Sequence, residues 1–197
     1  MSSTSSASSD QIVLDLETKK TFDEAGGRNP AELGVTVVGT YSYKTDEYII
    51  FEEHQAAELE QRLSETTRII GFNIRRFDFP VLQPYLKHLN LSHVGHLDIM
   101  DELEKVLGHR VSLQSVASAT LNEGKSGSGL DAIHYYRSGD MVNLKKYCLD
   151  DVRLTRDVYE FGKKHGHVFY FSRDGQTRMK AEIHWQDPVP PANFSLF

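Results

Sequence analysis

The sequence predicts an α/β fold in which a mixed five-stranded sheet is flanked by helices and followed by a C-terminal β-hairpin extension. Three observations support this prediction. An apolar three-strand meander opens the chain, helical and strand patterns then alternate, and an Asp-Gly turn lies near the C-terminus. With 197 residues and 39% hydrophobic content, the chain can bury one sizeable core. We expect one domain over 11–166, with the hairpin and tail at 167–197 packed on it.

Short apolar segments rich in β-branched residues predict the strands. The first, QIVLDL, is apolar enough to be buried on both faces. A polar turn at 44–46 joins the next two, which favours an antiparallel pair, while RIIGF follows a helical pattern and so predicts a parallel crossover. The five predicted strands lie at 11–16, 35–43, 47–53, 68–72 and 93–100.

Apolar residues at helical spacing predict five helices. In the second, Pro80 falls in the first turn, where its missing N–H is harmless, and Pro84 is a candidate kink. Ser112 is a suitable cap for the fourth, and Gly166 is a natural stop for the fifth. The predicted helices lie at 55–65, 77–89, 100–107, 112–121 and 141–165, with a loop, NEGKSGSG, at 122–129.

Composition excludes several classes of protein. The formal charge of −6 argues against a protein that coats duplex nucleic acid with basic side chains. No run of eighteen apolar residues exists, and the Ser-rich segment 1–10 lacks the features of a signal peptide and is expected to be disordered. We therefore expect a soluble, cytoplasmic protein without a membrane partner. Cys148 is the only cysteine, which excludes a disulfide within the chain, and we expect it to fill space inside a helix.

Two carboxylates end the first predicted strand. Asp15 and Glu17 are two residues apart, so both point to the same face of the sheet. A solvated strand end would explain such a pair. However, Asp15 interrupts a buried apolar run, where a carboxylate without a partner is costly.

Two further acidic positions fall at characteristic places. Asp78 follows the strand RIIGF and opens a helix, where an aspartate is commonly a cap. In the last predicted helix, Tyr147 and Asp151 are four residues apart and therefore share a face beside an apolar stripe. Asp150 points about 100° away from Asp151 around the helix. The side chains of Tyr147 and Asp151 can thus contact the same ligand.

In this order, the motifs resemble those of the DEDD exonuclease superfamily, which has the ribonuclease H-like fold, and specifically its DnaQ-like, tyrosine-containing DEDDy branch. The resemblance covers residues 11 to about 165. Its three motifs are matched by Asp15-x-Glu17, by Asn73 with Phe77-Asp78, and by Tyr147-x-x-x-Asp151. The other branch has a histidine five residues before the last aspartate, and here that residue is Lys146. The stretch from Gly129 to Met141 is also similar to small predicted exonuclease domains found alone or attached to helicases.

The resemblance implies a metal-dependent 3′ to 5′ exonuclease that releases nucleoside 5′-monophosphates from single-stranded DNA or RNA ends. It implies two divalent cations, Mg²⁺ or Mn²⁺, which prefer oxygen ligands. It also implies a helicase or a replication or repair protein as a partner. In this interpretation Asp15 bridges both ions, Glu17 and Asp151 complete the site that activates water, and Asp78 supports the second ion. Tyr147 orients the water or relays its proton. The residues implied in substrate binding are Leu16, Thr18, Asn73 and Phe77.

The motifs leave two other interpretations open. The chain could be a nucleic-acid-binding or helicase-associated module with the same fold and little catalytic activity, although such a module has no need to keep mutually repelling carboxylates together. It could also be an endonuclease that uses the same site. The residues do not distinguish DNA from RNA.

Other polar clusters are weaker candidates. GKS at 124–126 lacks the earlier glycine and the preceding strand of a nucleotide-binding loop. Asp98 and Asp101 are alternative metal ligands, with Asp98 expected to end a strand and Asp101 to cap a helix. The pairs His93/His96 and His165/His167 lack a third ligand at zinc spacing. Three basic pairs adjoin the motifs and could guide a single strand: Lys19-Lys20, Arg75-Arg76 and Lys145-Lys146.

Overall fold

The computed structural model describes residues 10–124 and 127–185, which form two sheets and six α-helices. The large sheet contains β1 (Asp10–Thr18), β2 (Val35–Ser42), β3 (Glu47–Glu52), β4 (Thr66–Gly71) and β5 (His96–Asp98). Its order is β3-β2-β1-β4-β5, antiparallel on the β2 side of β1 and parallel on the β4 side. The predicted mixed five-stranded sheet is confirmed.

The α-helices are α1 (Ala56–Ser64), α2 (Asp78–Leu82), α3 (Ile99–Leu107), α4 (Leu113–Leu121), α5 (Gly129–Ser138) and α6 (Met141–His165). Strands and helices alternate from β3 to α3, after which three further α-helices follow before the hairpin. Helix α6 ends at Gly166, whose φ of 70° only a residue without a Cβ adopts at little cost. Ser112 caps α4 by accepting a hydrogen bond from the Ser115 amide, as predicted.

Both faces of the large sheet are covered, and the central strand β1 shows this directly. Ile12 and Leu14 pack with α1 and α2 on one face, whereas Val13 packs with α3, α4 and α6 on the other. Side chains alternate along a strand, so Asp15 and Glu17 lie on the Val13 face, towards α6. Burial on both faces explains the uninterrupted apolar sequence that precedes Asp15.

The C-terminal hairpin predicted around Asp174-Gly175 is confirmed by β6 (His167–Phe171) and β7 (Arg178–Glu182). Ser115 and Thr120 of α4 each exchange hydrogen bonds with the backbone of β6 through their hydroxyls. These bonds occupy backbone groups on the outer edge of β6, which would otherwise be open to pairing with another chain.

The structure corrects two predictions about helices. The helix expected over 77–89 is only α2, followed by a 3-10 turn at Gln83–Tyr85. Pro84 has no N–H and its ring clashes with the preceding turn, so it ends the α-helix instead of kinking it. The second correction is α5, which the sequence analysis did not predict.

The predictions for the two ends of the chain can be compared with the structure only in part. Strand β1 begins at Asp10, one residue earlier than expected. The rest of the expected disordered segment, residues 1–9, and the expected extended tail after residue 185 lie outside the described residues. Within the described part of the chain, no helix combines the length and the apolar character needed to cross a membrane.

Candidate metal centre

Three carboxylates from distant parts of the sequence converge at the C-terminal end of β1. One oxygen from each of Asp15, Glu17 and Asp151 lies within 4.8 Å of the others. Glu17 is 8% exposed and Asp151 is 2% exposed, whereas Asp15 is partly exposed. Hard divalent cations such as Mg²⁺ and Mn²⁺ bind oxygen ligands of this kind and retain several waters, so the donor set fits them.

Gly39 allows α6 to approach β1 closely enough for this convergence. Gly39 pairs with Asp15 across the β1–β2 ladder. A Cβ at this position would lie 2.8 Å from Cγ2 of Val152 and 3.0 Å from Sγ of Cys148. The buried thiol of Cys148 donates a 3.6 Å hydrogen bond to the carbonyl oxygen of Asp15, so it fills space inside the helix interface as predicted.

The strand is irregular where its carboxylates emerge. The β1–β2 register shifts between Glu17 and Thr18, so that Glu17 pairs with Val37 and Thr18 with Val35. The Thr36 hydroxyl donates a 3.0 Å hydrogen bond to the carbonyl oxygen of Glu17. Bulges of this type bend a strand and change the direction of its side chains, which gives the end of β1 a geometry that a regular ladder would not have.

Tyr147 lies beside the three carboxylates in the same cleft, which has a volume of about 440 Å³. Its side chain is only 4% exposed. Burial raises the pKa of the Tyr147 phenol above its usual value, and the charges of Asp151, Glu17 and Asp15 raise it further. The phenol is therefore neutral and can both donate and accept a hydrogen bond.

Asp78 lines the same cleft but stands apart from the group of three. It is the first residue of α2 and not its cap, because the cap position belongs to Phe77. Asp78 is 3% exposed, unlike a solvated surface aspartate. The structure thus brings three of the four proposed acidic ligands together and places the fourth on the wall of the cleft.

The proposed substrate-binding residues separate into two groups. Leu16, Thr18 and Phe77 line the acidic cleft. Asn73 lies outside it and lines the two neighbouring cavities. Asn73 has a φ of 69°, and its side-chain oxygen accepts a hydrogen bond from Arg110.

Asp98 has a structural role that the sequence analysis assigned to the wrong residue. Asp98, and not Asp101, caps α3 by accepting a hydrogen bond from the Met100 amide. Its two oxygens also accept from the amides of Asn73, at 2.8 Å, and Arg75, at 3.0 Å. Burial is the main cause that raises the pKa of Asp98. Asp98 therefore fixes the loop that leads into Asp78.

Most of the basic pairs next to the motifs contact acidic side chains on the surface. Lys19 contacts Glu53, Arg75 contacts Asp101, Arg76 contacts Asp101 and Glu104, and Lys145 contacts Glu52. Lys20 is exposed and lines the acidic cleft. Among the described residues of these three pairs, Lys20 is thus the one that lines the cleft itself.

The sequence analysis missed the contribution of α5 to the cleft. Ser128, Gly129, Leu130 and Ile133 line it, at the start and along one face of this helix. A signal was present in the sequence, because Ser128 and Asp131 form a capping box in which each side chain bonds the other residue's backbone N–H. The glycine-rich context of Ser128 concealed the helix start.

The geometry agrees with what comparison with known proteins shows. The model of the RNase H superfamily (RNase_H_2) matches residues 12–161. Among solved structures, the family B DNA polymerase from the hyperthermophilic archaeon Pyrobaculum calidifontis is similar, with a TM-score of 0.61 and 17% sequence identity. The match covers 78% of this chain and 24% of the polymerase chain, so it concerns the fold of a part of that protein. No curated protein matches the chain in sequence. With the family model spanning most of its length, the chain belongs to the RNase H superfamily.

Proposed function

We propose that this protein is a metal-dependent 3′ to 5′ exonuclease of the DEDDy type, acting on single-stranded nucleic acid ends. The observation that carries the proposal is the group of Asp15, Glu17 and Asp151 within 4.8 Å of one another, beside the buried Tyr147. Membership of the RNase H superfamily and likeness in fold to a DNA polymerase support a nucleic acid substrate. The proposed catalytic domain extends over 11–166, with the hairpin as an appendage.

The acidic residues provide the ligands that the chemistry requires. Asp15, whose carboxylate lies within 4.8 Å of the other two, would help to hold both of two divalent cations, Mg²⁺ or Mn²⁺. Glu17 and Asp151 would complete one site, and Asp78, on the cleft wall, would support the other. When bound, such a pair of cations neutralises charge on the attacking and leaving oxygens of a phosphodiester.

Tyr147 would position the attacking water. Its phenol is buried beside Asp151, and burial, followed by the charges of the neighbouring carboxylates, raises its pKa. The neutral hydroxyl would hold a water in line with the scissile bond by a hydrogen bond, or relay the proton of that water. The tyrosine spacing is also what favours the DEDDy branch over the histidine branch.

The walls of the cleft suit a terminal nucleotide. Leu16 and Phe77 provide apolar contacts and Thr18 provides a hydroxyl next to the carboxylates. A terminal nucleotide has to leave a duplex before it can enter such a cleft, so a single-stranded end is the preferred substrate. A helicase or a replication or repair protein that exposes such ends is the proposed kind of partner.

Nucleotide release from end-labelled DNA and RNA tests the proposal. The wild-type protein should release nucleoside 5′-monophosphates with Mg²⁺ or Mn²⁺, and a blocked 3′ end should prevent release. Asp151→Asn should lower the rate by at least about a hundredfold, since even residues that only support metal ligands are worth 10- to 100-fold. Asp150→Asn is the matched control, because Asp150 points elsewhere on the same helix and should leave the rate unchanged.

Circular dichroism should show that both variants are folded. Metal-dependent release that persists in Asp151→Asn would exclude the proposed site. Cleavage of a 3′-blocked strand would identify an endonuclease. Strand binding by the wild-type protein, without release and indifferent to metal, would indicate the binding module instead.

A further inference from the structure

The acidic cleft opens into a larger cavity with a different chemical character. This cavity, the arginine groove, has a volume of about 750 Å³, and its charged lining residues are three arginines and one acid: Arg28, Arg76, Arg110 and Asp23. It shares Phe22 and Phe77 with the acidic cleft, so the two form one continuous depression. Three guanidinium groups in one groove are notable in a chain whose formal charge is −6.

A second cavity beside the cleft differs in charge from the arginine groove. It has a volume of about 600 Å³, shares Asp15 and Tyr147 with the acidic cleft, and is otherwise lined by apolar and neutral polar residues in the described part of the chain. A strand bound in the acidic cleft therefore meets arginines where it extends into the arginine groove and no basic side chain where it extends into this second cavity. This difference in charge distinguishes the two places into which the strand can extend.

The three arginines can contact a phosphodiester backbone. Arg28 is exposed and has no hydrogen bond or ion pair with any residue that the structure describes. Arg76 contacts Glu104 at 3.1 Å and the buried Asp101 at 3.6 Å. The Arg110 guanidinium lies 4.0 Å from Glu104 and donates hydrogen bonds to Asn73 and to the Met100 sulfur. Both arginine side chains remain about half exposed, so their outer N–H groups are accessible to a phosphate.

An aromatic pair lies at the boundary between the groove and the cleft. The rings of Phe22 and Phe77 meet edge to face, with centroids 6.2 Å apart. Phe22 is 37% exposed, which leaves ring surface available for a base. Basic groups that follow a backbone, combined with an aromatic surface for a base, are the typical features of single-strand binding.

The wall that carries Phe22 and Arg28 is anchored to the rest of the domain. Glu24, in the same loop, accepts 2.7 Å hydrogen bonds from Arg137 of α5 on both of its oxygens. At the loop's two ends, the Lys19 amide donates to the Gly34 carbonyl at 2.9 Å. Within the loop, the Ala25 amide donates to the Thr21 carbonyl at 3.1 Å and the Gly27 amide to the Phe22 carbonyl at 3.3 Å. The loop is thus held by its own backbone without nucleic acid, which lowers the entropic cost of binding.

Building on the proposed function, we infer that the arginine groove binds the two or three nucleotides on the 5′ side of the scissile phosphate, with a base against Phe22 and backbone phosphates on Arg28, Arg76 and Arg110. The terminal 3′ nucleotide then occupies the acidic cleft and the neutral cavity beside it. The groove makes the protein more active on an oligonucleotide than on a dinucleotide without a 5′ phosphate, which has no phosphate upstream of the scissile one for the arginines to bind.

Fluorescence anisotropy of labelled oligo(dT) and oligo(U) in EDTA tests the groove without catalysis. Arg28→Ala should weaken binding and lower the slope of log affinity against log salt by about 0.7, the loss expected for one single-strand phosphate contact. Phe22→Ala should weaken binding roughly tenfold, within the range for one base stacked on an aromatic ring. Arg173→Ala is the matched control, because Arg173 is an exposed arginine in the β6–β7 turn and lines none of the three cavities.

Nucleotide release from a dinucleotide and from an oligonucleotide provides the second measurement. In Arg28→Ala, the KM for the oligonucleotide should rise while release from the dinucleotide stays at the wild-type rate. The inference is overturned if Arg28→Ala binds oligonucleotides as the wild type does, if Arg173→Ala loses as much affinity, or if both substrates are affected equally.

The two proposals can fail separately. Weaker binding by Arg28→Ala and Phe22→Ala in EDTA, with no nucleotide release by the wild type, would keep the groove as a binding site and exclude the exonuclease. Release that depends on Asp151, with unchanged binding by Arg28→Ala, would keep the exonuclease and exclude the groove.

Discussion

The two halves of α6 present acidic residues in opposite ways. In the first half, Asp151 joins Asp15 and Glu17 so that three carboxylates lie within 4.8 Å of one another. In the second half, Asp157 accepts a 2.6 Å hydrogen bond from Arg156, and Glu160 accepts one of 2.6 Å from the Tyr43 hydroxyl. In the first half of α6 an acidic side chain thus lies among other carboxylates, whereas in the second half the acidic side chains accept hydrogen bonds from an arginine and a tyrosine.

This difference teaches which acids serve the structure. Around the second half, the Arg156 guanidinium also lies 4.9 Å from the centre of the Tyr41 ring, so charge and aromatic surface are balanced locally. Carboxylates held close together repel one another, and folding alone gives no reason to collect them. A group of carboxylates that the fold keeps close together therefore indicates a binding site for a cation.

The largest expected effect follows from that contrast. Mn²⁺ should stabilise the wild-type protein against unfolding by about 2.7 kcal/mol at a hundredfold excess over its Kd. Asp15→Asn should lose this response, and without metal it should be as stable as the wild type or more so, because one of the repelling charges is gone. Thermal unfolding with Mn²⁺ and with EDTA measures both quantities.

Asp157→Asn is the control from the second half of α6. It should keep the full Mn²⁺ response and lose at most about 1 kcal/mol, since its partners are partly exposed arginines. An equal loss of the metal response in both variants would contradict a specific site at Asp15.

The next effect concerns the position of α6 on the sheet. Gly39→Val should destabilise the protein by about 1–3 kcal/mol, because the added atoms collide with Val152 and Cys148. It should also lower nucleotide release, since Tyr147 and Asp151 move away from β1 together. Gly27→Ala, where an added Cβ has nothing within 4 Å, is the control in denaturant unfolding. Full activity and stability in Gly39→Val would show that close packing of α6 is not required.

The smallest expected effect is on the pH dependence of stability, through the hydroxyl of Tyr43, which bonds Glu160 in the second half of α6. Burial, followed by the hydrogen bond to Glu160, raises the pKa of Tyr43 above its usual value of 10.0. Above pH 10 the unfolded chain therefore loses this proton while the folded protein keeps it, so stability falls as pH rises. Tyr43→Phe should be less stable at neutral pH by about 1 kcal/mol, the value of one hydrogen bond, and should show a shallower decline above pH 10. Identical slopes in chemical denaturation would contradict this.

The elements that local sequence patterns define were predicted well. Strand β1 follows from an apolar β-branched run, and α6 follows from an apolar stripe with a glycine stop, so the placement of Asp15 with Glu17 and of Tyr147 with Asp151 on common faces was available before the structure. These relations depend only on the two- and 3.6-residue periods of the backbone.

The errors concern positions where several local patterns compete. Either Asp98 or Asp101 could be the helix cap by residue type, and only the hydrogen bonds that Asp98 accepts from the amides of Met100 and Asp101 show that the helix begins after Asp98. The apolar spacing in the sequence after Asp78 continues beyond Pro84, although the α-helix ends before this proline. Neither choice could be made from apolar spacing alone.

By itself, the sequence determined which side chains share a face within one strand or one helix, and thereby the pairs on which the candidate site is built. Tertiary structure decided how near the pairs come to each other. The absence of a side chain at Gly39 lets α6 lie close to β1. Asp78 lies on the wall of the cleft and not in the group of three carboxylates. Arg28 and Arg110, 82 residues apart in the chain, line the same groove. The physical reason is that backbone periodicity is local, whereas distances between elements depend on packing contacts among residues far apart in sequence.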